Sequence, residues 1–83
     1  MINLYYAGYC IKGFDTVDEK IELPAGVSDV RSLRSYLALR GEPWRLMTSP
    51  EKSRVAVNHR MVRDDALISD GDIISFFPPI AGG

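Results

Sequence analysis

The chemistry that this sequence could support is concentrated at its carboxyl terminus, where the chain ends on Ile80-Ala81-Gly82-Gly83. A carboxylate on a stalk without side chains can enter a narrow channel of another enzyme, because Gly82 and Gly83 have no Cβ. A free carboxylate is a poor electrophile until it is activated. Transfer of AMP from ATP would give an acyl-adenylate, which a sulfur donor could convert to a thiocarboxylate. The sequence therefore predicts Gly83 as the reacting residue and Gly82 as the residue that gives it passage.

Two prolines precede this end and would direct it. Pro78 and Pro79 fix φ near about −65° and favour an extended path, so the chain should leave the domain as a short strut. The four residues that follow add an extended reach of about 13–14 Å. We predict a domain over residues 1–77 and an extended tail over residues 78–83 that carries the reactive carboxylate. The alternative is a frayed terminus, where small residues are tolerated.

The composition excludes several classes of function. The 83 residues fit one small domain, and a net charge of −1 with interleaved acidic and basic residues gives no basic patch for nucleic acid. No apolar run approaches twenty residues and no signal peptide is evident, which predicts a cytoplasmic protein without membrane association. No acid-base pair, nucleophile-base set or phosphate-binding glycine loop points to an autonomous enzyme.

The single cysteine and the single histidine do not suggest a site of their own. One cysteine allows no intramolecular disulfide, and together with one histidine it cannot supply the roughly four ligands of a structural zinc. No base lies near Cys10 in the sequence, so we interpret it as a packing residue rather than a nucleophile. His59 is interpreted as a turn or surface residue.

The first half of the chain predicts a hairpin followed by a helix. Apolar residues alternate over residues 2–6 and again over residues 17–23, which is typical of two strands that each bury one face. Ser28 is the predicted N-cap of the helix, and Gly41 is its predicted stop. Val30, Leu33 and Leu37 have the spacing of a buried helical face.

The second half predicts the remaining strands. Trp44, Leu46 and Met47 are expected to form apolar cover or a short strand. Residues 55–57 and 60–62 flank an Asn-His turn, and residues 73–77 are apolar enough for a central strand. The order ββαβ(β)β predicts an α+β protein, a β-grasp roll in which a mixed sheet packs on one main helix. In this arrangement the last strand lies beside the first, and a flexible diglycine tail follows it.

The run from Asp70 to Gly83 closely resembles the C-terminal signature of the small subunits of molybdopterin synthase, the MoaD-like sulfur carriers. The resemblance extends over the whole chain. It includes the opening residues 1–7, the apolar helix positions, Trp44 and residues 55–58. That family has a ubiquitin-like β-grasp fold, which agrees with the predicted element order.

The resemblance implies that several other proteins act together with this chain. An ATP-dependent activating enzyme would adenylate Gly83, and a sulfurtransferase system would supply the sulfur. The thiocarboxylated tail would then enter the large subunit of molybdopterin synthase and deliver sulfur to cyclic pyranopterin monophosphate. The assembled synthase of this family is a heterotetramer of two large and two small subunits. Catalytic side chains are expected in the large subunit, and no cofactor is expected on this chain.

By matching position, the resemblance also implies a docking surface for the large subunit and the activating enzyme. Its apolar members would be Tyr6, Met61 and Phe77, each with core packing as the alternative. Phe76 and Phe77 point to opposite faces of a strand, and we favour Phe77 as the interface residue. The tail residues expected to continue this contact are Pro78, Pro79, Ile80 and Ala81. The family commonly carries a basic and acidic pair after the first strand, and the run from Gly8 to Lys12 departs from it.

Other functions remain open at this point. A ThiS-like carrier for thiamine thiazole synthesis and a ubiquitin-like protein modifier share the diglycine end and differ in the recipient. A β-grasp interaction module whose tail has no chemistry is an alternative of another class. The Phe-Phe-Pro-Pro run before the tail favours the molybdopterin branch.

Overall fold

A five-stranded mixed sheet with one main helix packed against it forms the computed structural model, which describes residues 1–8 and 18–79. The strands are β1 (Ile2–Tyr6), β2 (Asp18–Ile21), β3 (Arg54–Val57), β4 (Arg60–Met61) and β5 (Ile73–Phe77), and the helices are α1 (Val30–Ala38) and α2 (Trp44–Met47). The strand order is β2-β1-β5-β3-β4. β1 and β5 are parallel, whereas the other three pairings are antiparallel. The predicted α+β class, the opening hairpin and the placement of the last strand beside the first are confirmed.

The core lies between the sheet and α1. Alternate residues of β1 and β5 point toward the helix, and the register pairs Leu4 with Ile74 and Tyr6 with Phe76 on this inner face. These four side chains are buried. Burying each large apolar side chain stabilises the fold by about 1.5–3 kcal/mol. The alternation seen in the sequence thus fixes which residues of β5 are held in the core.

Helix α1 begins one residue later than predicted. Asp29, not Ser28, is the N-cap: its Oδ1 accepts a hydrogen bond from the Ser32 backbone N at 2.8 Å, and Ser32 Oγ accepts one from the Asp29 backbone N at 3.1 Å. This reciprocal pair forms a capping box, which a Ser28 cap would lack. Hydrogen bonds from Ser32 lower the pKa of Asp29. The predicted helical face is confirmed, since residues 30, 33 and 37 are fully buried.

The segment after α1 is helical, so the expectation of a short strand there is wrong. Residues 44–47 form the four-residue helix α2, and the Thr48 backbone N donates to the Trp44 carbonyl at 2.8 Å. Trp44 and Met47 pack against the core, whereas Leu46 is exposed. The spacing of three between the two inward side chains fits a helical turn and not the alternation of a strand.

A tight turn joins β3 to β4. Asn58 and His59 both have positive φ, at 52° and 68°, which is the backbone conformation that a two-residue hairpin turn requires. The return strand β4 covers residues 60–61, one residue shorter than predicted. Within residues 1–8 and 18–79, no helix is long and apolar enough to cross a membrane.

Candidate functional site

The root of the predicted tail continues directly from the centre of the sheet. β5 is paired with β1 on one side and β3 on the other, and Pro78 follows its last residue. Proline has no N–H to donate, so regular pairing ends there. The rest of the tail lies outside the described residues: the predicted contact residues Ile80 and Ala81 and the predicted reacting residues Gly82 and Gly83.

Phe77 lies on the face of the sheet that points away from α1, which we call the outer face. Phe76 is fully buried, whereas Phe77 is half-buried, as expected for consecutive strand residues. In the register, Phe77 pairs with Arg54 of β3. Its use as an interface residue remains a prediction, but its position leaves it accessible.

A row of outer-face residues crosses four strands beside Phe77. The row runs through Tyr5, Ser75, Ala56 and Met61, which are paired in register from β1 to β4. Met61 is 62% exposed, and Tyr5 is also exposed. Met61 therefore occupies the accessible position expected of a docking residue. Tyr5 was missed by the sequence reasoning, although the alternation of β1 places it on the face opposite Tyr6.

Tyr6 belongs to the core, which corrects its assignment to an exposed docking surface. It is 3% exposed, because residues 2, 4 and 6 of β1 point toward α1. Its ring stacks against Phe76 with 6.4 Å between centroids, and its hydroxyl donates to Glu19 Oε2 at 2.9 Å. Of the two roles considered for Tyr6, docking and core packing, the structure shows core packing.

Glu19 joins the hairpin to the end of α1. Its Oε2 also accepts a hydrogen bond from Arg40 Nη1 at 2.9 Å, and the Arg40 guanidinium lies 5.1 Å from the centre of the Trp44 ring. Burial alone would raise the pKa of Glu19, but hydrogen bonds from Arg40 and Tyr6 outweigh it and lower that pKa. Burial, reinforced by Glu19, raises the pKa of the Tyr6 phenol. The pair is therefore a neutral phenol that donates to a charged carboxylate.

Arg34 also contacts Phe76. It is 5% exposed, and its Nε donates to Asp64 Oδ1 at 3.0 Å. Its Nη1 donates to the Thr48 carbonyl at 2.9 Å and to Ser53 Oγ at 2.7 Å. The guanidinium carbon lies 5.5 Å from the centre of the Phe76 ring. Phe76 thus contacts both Tyr6 and Arg34 in the core, two residues before Pro78.

The remaining candidates are His59 and Cys10. His59 is an exposed residue of the β3–β4 turn, as predicted. Cys10 lies outside the described residues. In the part of the chain that the structure describes, no group of three or more potential metal ligands comes together.

A family model described as the ThiS family matches residues 9–83, which is most of the chain. The chain belongs to the ThiS family. This membership agrees with the sulfur-carrier resemblance drawn from the C-terminal signature, and the matched range includes the Gly-Gly end.

Two relatives show which kind of protein this member of the ThiS family is similar to. The molybdopterin synthase sulfur carrier subunit of Escherichia coli (strain K12) is 37% identical over 62 residues, which cover 75% of this chain and 76% of the relative. The protein of the same name from Haemophilus influenzae is 32% identical over 65 residues, covering 78% and 80%. The family inferred from the sequence is therefore confirmed.

Solved structures show the same fold. A Pyrococcus furiosus chain assigned to molybdopterin converting factor, subunit 1, superposes with a TM-score of 0.66 at 27% identity, covering 95% of this chain and 97% of that chain. A chain of the complex of subunits 1 and 2 of molybdopterin-converting factor from Helicobacter pylori gives a TM-score of 0.61 at 20% identity, covering 99% and 97%. The β-grasp fold is confirmed.

Proposed function

We propose that this protein is the sulfur carrier subunit of a molybdopterin synthase and acts in molybdenum cofactor biosynthesis. The observation that carries the proposal is the passage of the central strand β5, without a linker, into Pro78-Pro79 and the diglycine end. The similarity to two sulfur carrier subunits that are 32–37% identical supports it. A rigid sheet that presents a reactive terminus is the arrangement a carrier needs, because effective transfer requires a positioned group.

The chemistry proceeds at the carboxylate of Gly83. A carboxylate oxygen attacks the α-phosphorus of ATP on the activating enzyme, and pyrophosphate leaves. A sulfur nucleophile supplied by a sulfurtransferase system then displaces AMP and leaves a thiocarboxylate. In the large subunit this sulfur forms a bond to a carbon of cyclic pyranopterin monophosphate, and hydrolysis of the bond between sulfur and the Gly83 carbonyl carbon then restores the carboxylate. ATP is bound by the activating enzyme, and the present chain supplies the sulfur-bearing end.

Partner recognition is assigned to the outer face of the sheet. Phe77, Met61 and Tyr5 present accessible apolar surface beside the root of the tail. Aromatic residues and methionine are enriched in protein interfaces, because they bury much area at low entropic cost. We assign this face to the large subunit and to the activating enzyme, with Tyr5 taking the place that the sequence had given to Tyr6. We propose that activation and sulfur transfer take place in the cytoplasm.

The terminal glycine provides the direct test. Wild-type protein, incubated with activating enzyme, ATP and a sulfur source, should gain the mass difference between sulfur and oxygen in intact mass spectrometry. Deletion of Gly83 should abolish this gain, and extension by one residue should abolish cofactor synthesis, because the terminal carboxylate then lies one residue short of, or one residue beyond, its reacting position. Both variants should unfold at the wild-type temperature. A thiocarboxylated protein that transfers no sulfur in the presence of large subunit and pyranopterin precursor would exclude the proposal.

Family membership favours one second candidate, a carrier for thiamine thiazole synthesis. The same thiocarboxylate would form, and only the recipient would differ. Offering the thiocarboxylated protein to a thiazole synthase and to a molybdopterin synthase large subunit, in parallel, separates the two. A ubiquitin-like modifier would instead give isopeptide conjugates on lysines, which are detected by mass spectrometry of cell extracts.

A further inference from the structure

Gly8 lies beside the root of the tail. The Ala7 backbone N donates to the Phe76 carbonyl at 2.9 Å, which extends the parallel pairing of β1 and β5 past Tyr6. Continuing that register by two residues brings Gly8 next to Pro78. The first residue of the tail therefore has a neighbour on the β1 side.

The contact between Gly8 and Pro78 leaves little room for a side chain, so Pro78 would have to shift slightly to accept one. A Cβ added at Gly8 would lie 3.3 Å from Pro78 Cδ and 3.6 Å from Pro78 Cγ, and the first distance is shorter than ordinary van der Waals contact. Gly8 also has a φ of +77°, which residues other than glycine rarely adopt. Three other glycines with positive φ have nothing within 4 Å of an added Cβ: Gly26, Gly41 and Gly71. Among the glycines that the structure describes, Gly8 alone combines the special φ with a close neighbour.

We propose that Gly8 is a positioning residue, whose bare backbone packs against Pro78 and sets the direction in which the tail leaves the sheet. The proposal deepens the proposed function and rests on it for its catalytic consequence. Phe76 is fully buried and contacts Tyr6 and Arg34, so a shift of the strand to relieve a crowded Pro78 would disturb these core contacts. Displacement would instead fall on the proline ring and on the chain after it.

A displacement at Pro78 changes the direction in which the tail starts. Pro78 and Pro79 have restricted φ angles, so a tilt at the root is passed on to the start of the following four residues, whose reach is at most about 13–14 Å. A misplacement of about 1 Å can lower a reaction rate by about 10²-fold. Gly8→Ala should therefore impair the chemical step more than binding.

The first test measures tail direction without any partner. Residual dipolar couplings of the Ile80 and Ala81 amides should differ between wild type and Gly8→Ala. Gly26→Ala is the matched control, because it introduces the same φ strain with open space around the new Cβ. Its couplings should equal those of the wild type. Unchanged couplings in Gly8→Ala would overturn the proposal.

The second test measures adenylation by the activating enzyme. Gly8→Ala should lower kcat by roughly tenfold or more, with the KM for the carrier within about twofold of wild type, because the outer face is untouched. Gly26→Ala should change neither. Equal losses in the two variants would assign the effect to φ strain and overturn the proposal. If wild type itself is not adenylated, the proposed function fails, and the dipolar couplings still decide the role of Gly8.

A double variant separates the contact between position 8 and Pro78 from a general loss of folding. Pro78→Ala removes the Cγ and Cδ atoms that an alanine at position 8 would meet. On the Pro78→Ala background, Gly8→Ala should have no larger effect on tail couplings and on thermal unfolding than Gly26→Ala has. The same effect of Gly8→Ala with and without the proline ring would show that the contact does not act, and would overturn the proposal.

Discussion

The surroundings of Tyr6 change the ionisation of its phenol. Its hydroxyl is buried against Glu19, and this burial raises the pKa of the phenol above its ordinary value near 10. A phenol whose pKa is higher in the folded than in the unfolded state stabilises the fold fully below about pH 10. That contribution is lost as the pH rises further, because the unfolded chain then ionises more readily.

We predict that Tyr6→Phe removes this loss at high pH. Wild-type stability should fall by up to about 1.4 kcal/mol per pH unit above about pH 10, whereas the variant, which cannot ionise at this position, should lack this component. Near neutral pH the variant should be less stable by about 1–3 kcal/mol, because it lacks the hydrogen bond to the Glu19 carboxylate. Urea unfolding between about pH 8 and about pH 11 measures both effects. The exposed Tyr36→Phe is the control and should retain the wild-type decline. An equal decline in the Tyr6 variant would refute the prediction.

Among the elements, the β3–β4 turn has a role beyond joining two strands. Asn58 Oδ1 accepts a hydrogen bond from the Ile73 backbone N at 3.0 Å, and Asn58 Nδ2 donates to Asp72 Oδ1 at 3.0 Å. The Asn58 backbone N also donates to the Ile73 carbonyl at 2.7 Å. The turn therefore fixes the start of β5, the strand whose other end carries the tail.

Two substitutions separate the backbone and side-chain contributions of Asn58. Asn58→Gly keeps the positive φ and loses both side-chain hydrogen bonds, so it should cost about 1–2 kcal/mol of unfolding free energy. Asn58→Ala loses the same bonds and adds the strain of a left-handed conformation, so it should cost about 1 kcal/mol more. Urea unfolding of the two variants measures the difference. Equal costs would mean that the positive φ of this turn carries no strain.

At the scale of the whole molecule, β5 separates two surfaces with different tasks. Its inner face completes the core against α1, and its outer face joins the outer-face row that ends at the exposed Met61. Because consecutive residues of one strand serve the two faces, folding and recognition can be separated by substituting neighbours. Phe76 and Phe77 are that pair.

We predict opposite consequences for the two phenylalanines. Phe76→Ala should lower the unfolding free energy by about 3–5 kcal/mol, because it opens a cavity in the core. Phe77→Ala should cost little stability and weaken binding to the large subunit by about tenfold or more. Urea unfolding and calorimetric titration measure the two quantities. Leu39→Ala, at an 85% exposed position outside the sheet, should change neither quantity. Binding that survives Phe77→Ala unchanged would remove the outer face from the interface.

The sequence was informative wherever local periodicity and core burial agree. The alternation in β1 and β5 predicted their inner faces, and the spacing of Val30, Leu33 and Leu37 predicted the buried face of α1. It failed where tertiary contacts select between similar local patterns. The apolar residues 44–47 suit a strand or a helical turn, and packing of Trp44 and Met47 on the core selected the helix. Side-chain hydrogen bonding selected Asp29 over Ser28 as the cap.

The sequence by itself determined the order of the strands and of the main helix, the family and the identity of the terminal residues proposed to react, because these depend on local pattern and on a short motif. The tertiary structure decided between core and docking surface for Tyr6, which the alternation of β1 and the family resemblance had assigned differently. It shows Tyr6 in the core, Tyr5 on the outer face and Gly8 against Pro78. The physical reason is that β1 and β5 are parallel neighbours far apart in sequence, and only their pairing register sets those contacts.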